Sequence, residues 1–322
     1  MSRVLVTGGA GYVGSVLVAE LLSRGHQVRV LDSLLHGSVP SLLIAWGTSG
    51  FEFLRGDVRD PDARRQALEG VDRVVHLAAI VGDPACSREP DLAREVNLDA
   101  TRALLAEAEA AGVRRFLFAS TCSNYGKMEG DVHANEEFDL RPVSLYAETK
   151  VAAELEVLDR ARNGLAATCL RFATVYGTSP RMRFDLTVNE FTRDIWNDRR
   201  LVVYGEQFWR PYIHVRDAAR AVVTALEAPV DDVAGEVFNA GSTDQNYRKL
   251  DIVELLQERV PDAEVEYVHK DEDPRDYRVS FEKISARLGF QVQRNVPDGI
   301  DETMHLLESG LLDDPYAAVY RN

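Results

Sequence analysis

Between residues 4 and 14 an apolar run passes without a break into glycines spaced three apart: Val4-Leu5-Val6-Thr7-Gly8-Gly9-Ala10-Gly11-Tyr12-Val13-Gly14. Read as strand, turn and helix, the three glycines have separate duties. Gly8 permits a tight turn, Gly11 lets backbone come close to a phosphate, and Gly14 lets the helix pack closely on the strand. The open N-terminus of such a helix offers N–H donors and a positive dipole end, which suits a pyrophosphate.

The rest of the chain continues the rhythm that this unit sets. Val28–Leu31, Phe51–Leu54, Arg73–Leu77, Phe116–Phe118 and Ala167–Phe172 read as short buried strands. Helical patterns lie between them at Val13–Ser23, Pro61–Leu68, Leu92–Ala111 and Tyr146–Arg162. Strand and helix in alternation mean a parallel sheet covered on both faces, and right-handed crossovers make it doubly wound. The second half is less regular, with helices expected at Phe184–Trp196, Asp217–Leu226, Leu250–Val260, Ser280–Leu288 and Gly299–Glu308 and strands at Leu201–Tyr204 and Glu236–Asn239. We read it as a smaller mixed α/β substrate domain on the open end of the sheet. The expected division is a dinucleotide-binding unit over 1–177, with 212–238 returning to it, and a substrate unit over 178–211 and 239–322.

Composition narrows the function classes. The 322 residues carry 37 Lys plus Arg against 52 Asp plus Glu, a net charge of −15, with 45 % hydrophobic residues. That apolar content excludes disorder for most of the chain, and the acidity disfavours nucleic acid and anionic membrane surfaces as partners. No apolar run reaches the ~20 residues of a spanning helix, and the N-terminus lacks the pattern of a signal peptide. Cys86, Cys122 and Cys169 are odd in number and widely spaced, which points to reduced thiols in a cytoplasmic protein and to no metal site.

Two carboxylates follow strands two and three. Asp32, about 20 residues beyond the glycines, is placed to accept both ribose hydroxyls of an adenosine and to repel a 2′-phosphate, which favours NAD over NADP. Asp57-Val58 is placed to meet the adenine. Tyr146 and Lys150 stand at i and i+4, on one face of a helix. A phenol with its usual pKa near ~10 is a poor base at neutral pH. A neighbouring ammonium and a cationic nicotinamide both favour the phenolate, which can then exchange a proton with a sugar hydroxyl.

Seven stretches spread over residues 7–217 carry a resemblance. They are Thr7–Gly14, Asp57-Val58-Arg59-Asp60, His76-Leu77-Ala78-Ala79, Ser120-Thr121-Cys122-Ser123-Asn124-Tyr125-Gly126, Tyr146 with Lys150, Arg171-Phe172-Ala173-Thr174-Val175-Tyr176-Gly177, and Arg210-Pro211-Tyr212-Ile213-His214-Val215-Arg216-Asp217. Together they resemble the extended short-chain dehydrogenase/reductases, in particular the nucleotide-sugar epimerase/dehydratase branch. The resemblance implies a Rossmann fold, NAD, a nucleotide-diphosphate sugar and a homodimer formed by Leu92–Ala111 and Tyr146–Arg162 pairing across a four-helix bundle. It implies Thr121, Tyr146 and Lys150 as catalytic residues. It adds Tyr12, Val13, Leu77, Ala78, Ala79 and Asn97 to the cofactor contacts of Gly8, Gly11, Asp32, Asp57 and Val58. On the substrate side it implies Cys122, Ser123, Thr174, Asn189, Val202, Tyr204 and Arg210.

Departures from the family pattern are informative. Dehydratases of the branch carry Asp-Glu where this chain has Cys122-Ser123, and decarboxylating relatives carry Glu at Ser123. A thiol and a hydroxyl replace those carboxylates poorly, so both reactions lose support. Thr174 stands where the family usually has Asn, and the usual second diphosphate Arg falls near His269-Lys270. A diphosphate also needs local positive charge on an acidic chain, for which Arg181, Arg183, Arg210, Arg275 and Arg278 are candidates. The expected activity is a nucleotide-sugar 4-epimerase. A 4-keto-sugar reductase using NADH or NADPH is the alternative, and a non-catalytic nucleotide-binding protein is a third. His214 is expected to be a packed core histidine.

Overall fold

A computed structural model describes residues 2–128, 130, 132–271 and 276–322. Seven strands form one parallel sheet: β1 (Arg3–Thr7), β2 (Gln27–Asp32), β3 (Phe51–Arg55), β4 (Arg73–His76), β5 (Arg115–Thr121), β6 (Ala166–Phe172) and β7 (Glu236–Ala240). Their order is β7-β6-β5-β4-β1-β2-β3. The direction of winding reverses at β1, which lies between β2 and β4, with Val6 level with Val30 on one side and Val75 on the other. The crevice beyond the carboxyl ends of strands at such a reversal is where ligands bind in doubly wound sheets.

Side-chain alternation along β1 explains why both faces are apolar. Val4 and Val6 face helices α1 (Tyr12–Ser23) and α6 (Val215–Glu227), among Leu17, Val18, Leu21, Val222 and Leu226. Leu5 faces the other way, into a layer with Val74, Phe116 and Phe118 that is covered by α2 (Pro61–Leu68), α3 (Ala100–Ala110) and α4 (Leu145–Arg162). All of these apolar side chains are almost fully buried, and each contributes about 1.5–3 kcal/mol by leaving water.

A third apolar cluster lies outside the sheet. It holds Val188 and Ile195 of α5 (Thr187–Asp198), Leu201 and Val203 of the Arg200–Tyr204 strand, Ile252 and Leu256 of the Lys249–Arg259 helix, and Val296 and Ile300 of the Val296–Glu308 helix. The Arg200–Tyr204 strand pairs in parallel with Glu264–Val268. The Trp209–His214 strand bridges the layers, antiparallel to Asn246–Arg248 and parallel to Thr174–Tyr176.

One expected element is divided. The apolar pattern predicts a single helix over 92–111. The structure instead has a short helix at Pro90–Arg94, a π turn at Glu95–Asp99, and then α3. In the π turn the Asn97 amide is drawn onto the main chain of Ile80, while Thr101 Oγ1 donates to the Asn97 carbonyl oxygen. Tertiary hydrogen bonds thus override a pattern that alone favours continuous helix. No helix among the described residues is long and apolar enough to cross a membrane.

Candidate active site

The site opens where β1 ends. Gly8 has φ of 73°, and a Cβ there would lie 2.8 Å from the Ala78 nitrogen, so the turn after β1 presses against the turn after β4. A Cβ on Gly14 would lie 2.2 Å from the Gly8 oxygen, whereas one on Gly11 would meet only that same oxygen, at 3.1 Å. Two glycines therefore let backbone touch backbone, and Gly11 leaves open room. Helix α1 starts at Tyr12 with no side-chain cap, so its first N–H groups remain available in front of that room. Gly8, Gly11, Tyr12 and Val13 line a cavity of about 680 Å³.

Asp32 stands at the far wall. Its Oδ2 accepts from the Ala10 N–H at 2.9 Å and its Oδ1 from the Leu34 N–H at 2.8 Å. Leu34 adopts a left-handed backbone, φ 59°, to make that contact. Burial raises the Asp32 carboxyl above its ordinary value, against the pull of the two N–H groups and of Arg181. Asp57 and Val58 lie further along this wall, and Arg59 engages both Asp57 oxygens and holds that carboxyl below its usual range. Leu77, Ala78 and Ala79 form the floor. Behind them His76 sits between Thr7 Oγ1 at 2.6 Å and Thr101 Oγ1 at 2.9 Å, and burial lowers its pKa to about 3. The donor set and the open glycine room fit a dinucleotide: N–H groups for phosphates, a carboxylate for ribose hydroxyls and an apolar floor for a ring.

The other end of the same cavity holds the Thr121 and Tyr146 hydroxyls. β5 delivers Thr121, whose Oγ1 accepts the Ser123 N–H at 3.1 Å, and Thr121 and Tyr146 line the same end of the cavity. Ser144 caps α4 through the Ala147 N–H, which sets Tyr146 in its first turn. Burial pushes the Tyr146 phenol up, and the groups that pull it back are the Arg183 charge and the Thr121 hydroxyl. Lys150 is buried one turn on, with its ammonium 4.1 Å from the centre of the Phe118 ring. Burial lowers its pKa to about 7. The helical spacing predicts Lys150 as the group that acidifies Tyr146; in the structure Lys150 is itself desolvated against β5, and the opposing charge comes from Arg183. Ser123, Thr174 and Arg210 complete this end of the wall. Ser123 Oγ lies 3.3 Å from the Tyr277 hydroxyl, and the Arg210 guanidinium lies 5.6 Å from the centre of the Tyr277 ring.

Five expected contacts do not reach the cavity wall. Asn97 spends its amide on Ile80 and Thr149. Cys122 turns its thiol inward, donating to the Arg171 oxygen at 3.2 Å, and burial raises its pKa. Asn189 is fully buried and holds the Gly177 N–H and the Arg183 oxygen, so it shapes the loop between them. Val202 and Tyr204 lie on the Arg200–Tyr204 strand away from the cavity, with Tyr204 largely exposed. Arg275 lies outside the described residues. Arg278 donates to the Gly130 oxygen rather than lining the cavity, and Arg183 is held by both oxygens of Asp185. His214 is packed, with Nε2 2.7 Å from Glu302 Oε2.

Other wall residues were not singled out by the sequence: His36, Ile80, Tyr277, Arg321 and Asn322. His36 is the clearest omission, since burial and the charges of Arg181 and Arg183 lower its pKa to about 4. None of the five sits in a local motif, so only chain closure could have revealed them.

A sequence model of the NAD dependent epimerase/dehydratase family matches residues 4–241. The chain belongs to this family. NAD dependence comes with the family, and the glycine turn, Asp32 and the Tyr146 end all lie within the matched span. Among relatives of this epimerase/dehydratase, UDP-glucose 4-epimerase of Corynebacterium glutamicum is 30 % identical over 338 residues, covering 98 % of each chain. dTDP-glucose 4,6-dehydratase of Streptomyces niveus is 31 % identical over 315 residues, covering 94 % of this chain and 91 % of its own. The solved structure of MoeE5 in complex with UDP-glucuronic acid and NAD superposes with a TM-score of 0.83 at 28 % identity, covering 96 % of this chain and 100 % of that one. The relatives are thus epimerases, dehydratases and their kin acting on nucleotide sugars.

Proposed function

We propose that this family member is an NAD-dependent nucleotide-sugar 4-epimerase. The observation that carries the reading is that Thr121 and Tyr146 line one cavity with the glycine turn and Asp32, while Cys122-Ser123 stands after Thr121 in place of two carboxylates. NAD, when bound, takes up hydride from the sugar carbon and returns it. Gly8, Gly11, Tyr12 and Val13 would hold its diphosphate, Asp32 its adenosine ribose, and Lys150 its other ribose.

Tyr146 removes the proton of the sugar C4 hydroxyl and gives it back after the sugar has turned. Thr121 orients that hydroxyl through its own and keeps the phenol from rising further. Ser123, Thr174 and Arg210 face the sugar diphosphate, with Arg210 as the cation. Acid and base at positions 122 and 123, which loss of water requires, are missing, and Cys122 is turned away from the cavity. The proposed division of labour assigns 1–177 and 212–238 to the cofactor and 178–211 with 239–322 to the substrate. A homodimer through α3 and α4 belongs to the same reading, supported by the exposed Leu155 on α4. Three buried, unpaired thiols suit a reducing compartment such as the cytoplasm.

Incubation with UDP-, dTDP- and GDP-hexoses, followed by proton NMR of the products, tests the reaction: inversion at C4 with no added dinucleotide is the expected result. Dinucleotide released on denaturation should be NAD in near-equal amount to protein. A protein that purifies empty and consumes NADH with a 4-keto sugar is a reductase instead. Binding of NAD with no turnover of any sugar would make it a non-catalytic member.

A further inference from the structure

The loop over 177–185 is laid across the start of α1. Tyr12 Oη donates to the Gly177 oxygen at 2.6 Å, and Ser179 Oγ donates to the Tyr12 oxygen at 2.7 Å while lying 3.1 Å from Ser15 Oγ. Arg181 follows at once, its N–H donating to Ser179 Oγ at 3.3 Å. Arg181 is 5 % exposed and lines the cavity. Nη2 donates to the Arg321 oxygen at 3.0 Å, but Nη1 is buried with no hydrogen-bond partner. Arg181 makes no ion pair among the described residues, whereas its neighbour Arg183 is held by both oxygens of Asp185. The Arg181 charge reaches both Asp32 and His36 on the same wall.

A buried guanidinium edge with nothing to donate to is costly unless an anion completes it. The uncapped start of α1 beside it makes the same demand. Two sources of positive potential thus face the cavity that Asp32 and His36 line. We propose that Arg181 is a cofactor-binding residue whose free Nη1 edge takes a phosphate oxygen of the dinucleotide diphosphate. The bonds to Tyr12 and Ser15 favour the cofactor over the sugar nucleotide as the source of that phosphate. The Phe184 N–H donates to the Tyr320 oxygen and the Asn322 N–H to Asp185 Oδ2, which ties the terminal segment to the same loop, so the loop and its strap hold the cofactor from the side of the second unit. The inference rests on the cavity being the dinucleotide site and is independent of which reaction the sugar undergoes.

Displacement of bound NAD from the purified protein by ADP-ribose and by adenosine tests it, with direct titration where the protein purifies empty. In R181M, ADP-ribose should bind about tenfold or more weakly, because a charge-assisted contact is lost, while adenosine stays within about twofold, since it carries no phosphate. R181K keeps the charge but loses the fork, and should fall between wild type and R181M. It also carries the test should R181M fail to fold. The proposal is overturned if adenosine weakens as much as ADP-ribose, or if ADP-ribose is unaffected while binding of free UDP or dTDP weakens, which would hand Arg181 to the sugar nucleotide. Loss selective for ADP-ribose in a protein that proves to be no epimerase would leave the proposal standing.

Discussion

Glu154 Oε1 accepts from Arg171 Nη2 at 2.5 Å, and both side chains are buried behind the Tyr146 end of the cavity. The second Glu154 oxygen accepts from Ser120 Oγ at 2.6 Å, and Arg171 Nη1 donates to the Tyr125 hydroxyl at 2.8 Å. Glu154 also stands one helical turn beyond Lys150, as Lys150 does beyond Tyr146, so one face of α4 carries phenol, ammonium and carboxylate in succession. The pair anchors that face to β5 and β6, and the Glu154 carboxylate favours the charged form of Lys150 against its burial.

Removing one member alone should be severe. E154L or R171M should each cost about 3–5 kcal/mol in urea unfolding, because each strands a buried charge. The double variant should recover much of that loss. A loss in the double variant equal to the sum of the singles would mean that the two charges do not depend on each other.

Tyr146→Phe keeps the ring and deletes the hydroxyl that we propose carries the proton. Turnover should fall by about 10²–10⁴-fold, the usual contribution of a positioned acid or base, while bound dinucleotide and melting temperature stay near wild type. A kcat close to wild type would move the proton transfer to another group.

The lowered pKa of Lys150 has a defined sign in pH. Its folded value of about 7 lies below the ordinary lysine value of 10.5, so between the two the unfolded chain binds the extra proton and stability rises with pH. Lys150 therefore destabilises the ligand-free protein fully below pH 7, and ever less toward pH 10.5. Replacement by Met should raise the melting temperature most at pH 6, with the advantage shrinking by pH 10. A gap that does not change with pH would show that the Lys150 ammonium is not desolvated.

The three spaced glycines should respond unequally. Gly14→Ala places a Cβ 2.2 Å from the Gly8 oxygen and must open the turn, so it should both lower the melting temperature and leave the protein without dinucleotide. Gly11→Ala meets only one atom, at 3.1 Å, and should keep the fold while weakening NAD binding. Equal loss of stability in the two would contradict the open space seen at Gly11.

The sheet was legible because its signals are local. Val4–Val6 and Phe116–Phe118 are continuous apolar runs of the sort that strands buried on both faces carry, and Gly112, at φ 74°, ends α3 where the pattern stops. Asp32 and the Tyr146–Lys150 pair were legible for the same reason: each follows from a fixed number of residues past a strand or along a helix. The interruption of the 92–111 helix was hidden, because nothing in its apolar spacing announces that Asn97 will bond Ile80.

Local spacing by itself determined the doubly wound sheet, the tight glycine turn after β1 and the placing of Tyr146, Lys150 and Glu154 on one helix face, since strand period, helix period and turn stereochemistry act over a few residues. Only the tertiary structure decided what faces them. Tyr277 meets Ser123 across 154 residues, Tyr12 meets Gly177 across 165, and Arg181 is left with an unfilled donor edge above α1. Contacts of that reach depend on how distant segments of the chain close on each other. That closure is set by the summed packing of the whole chain and by which buried charges find partners, and no short stretch of sequence contains either.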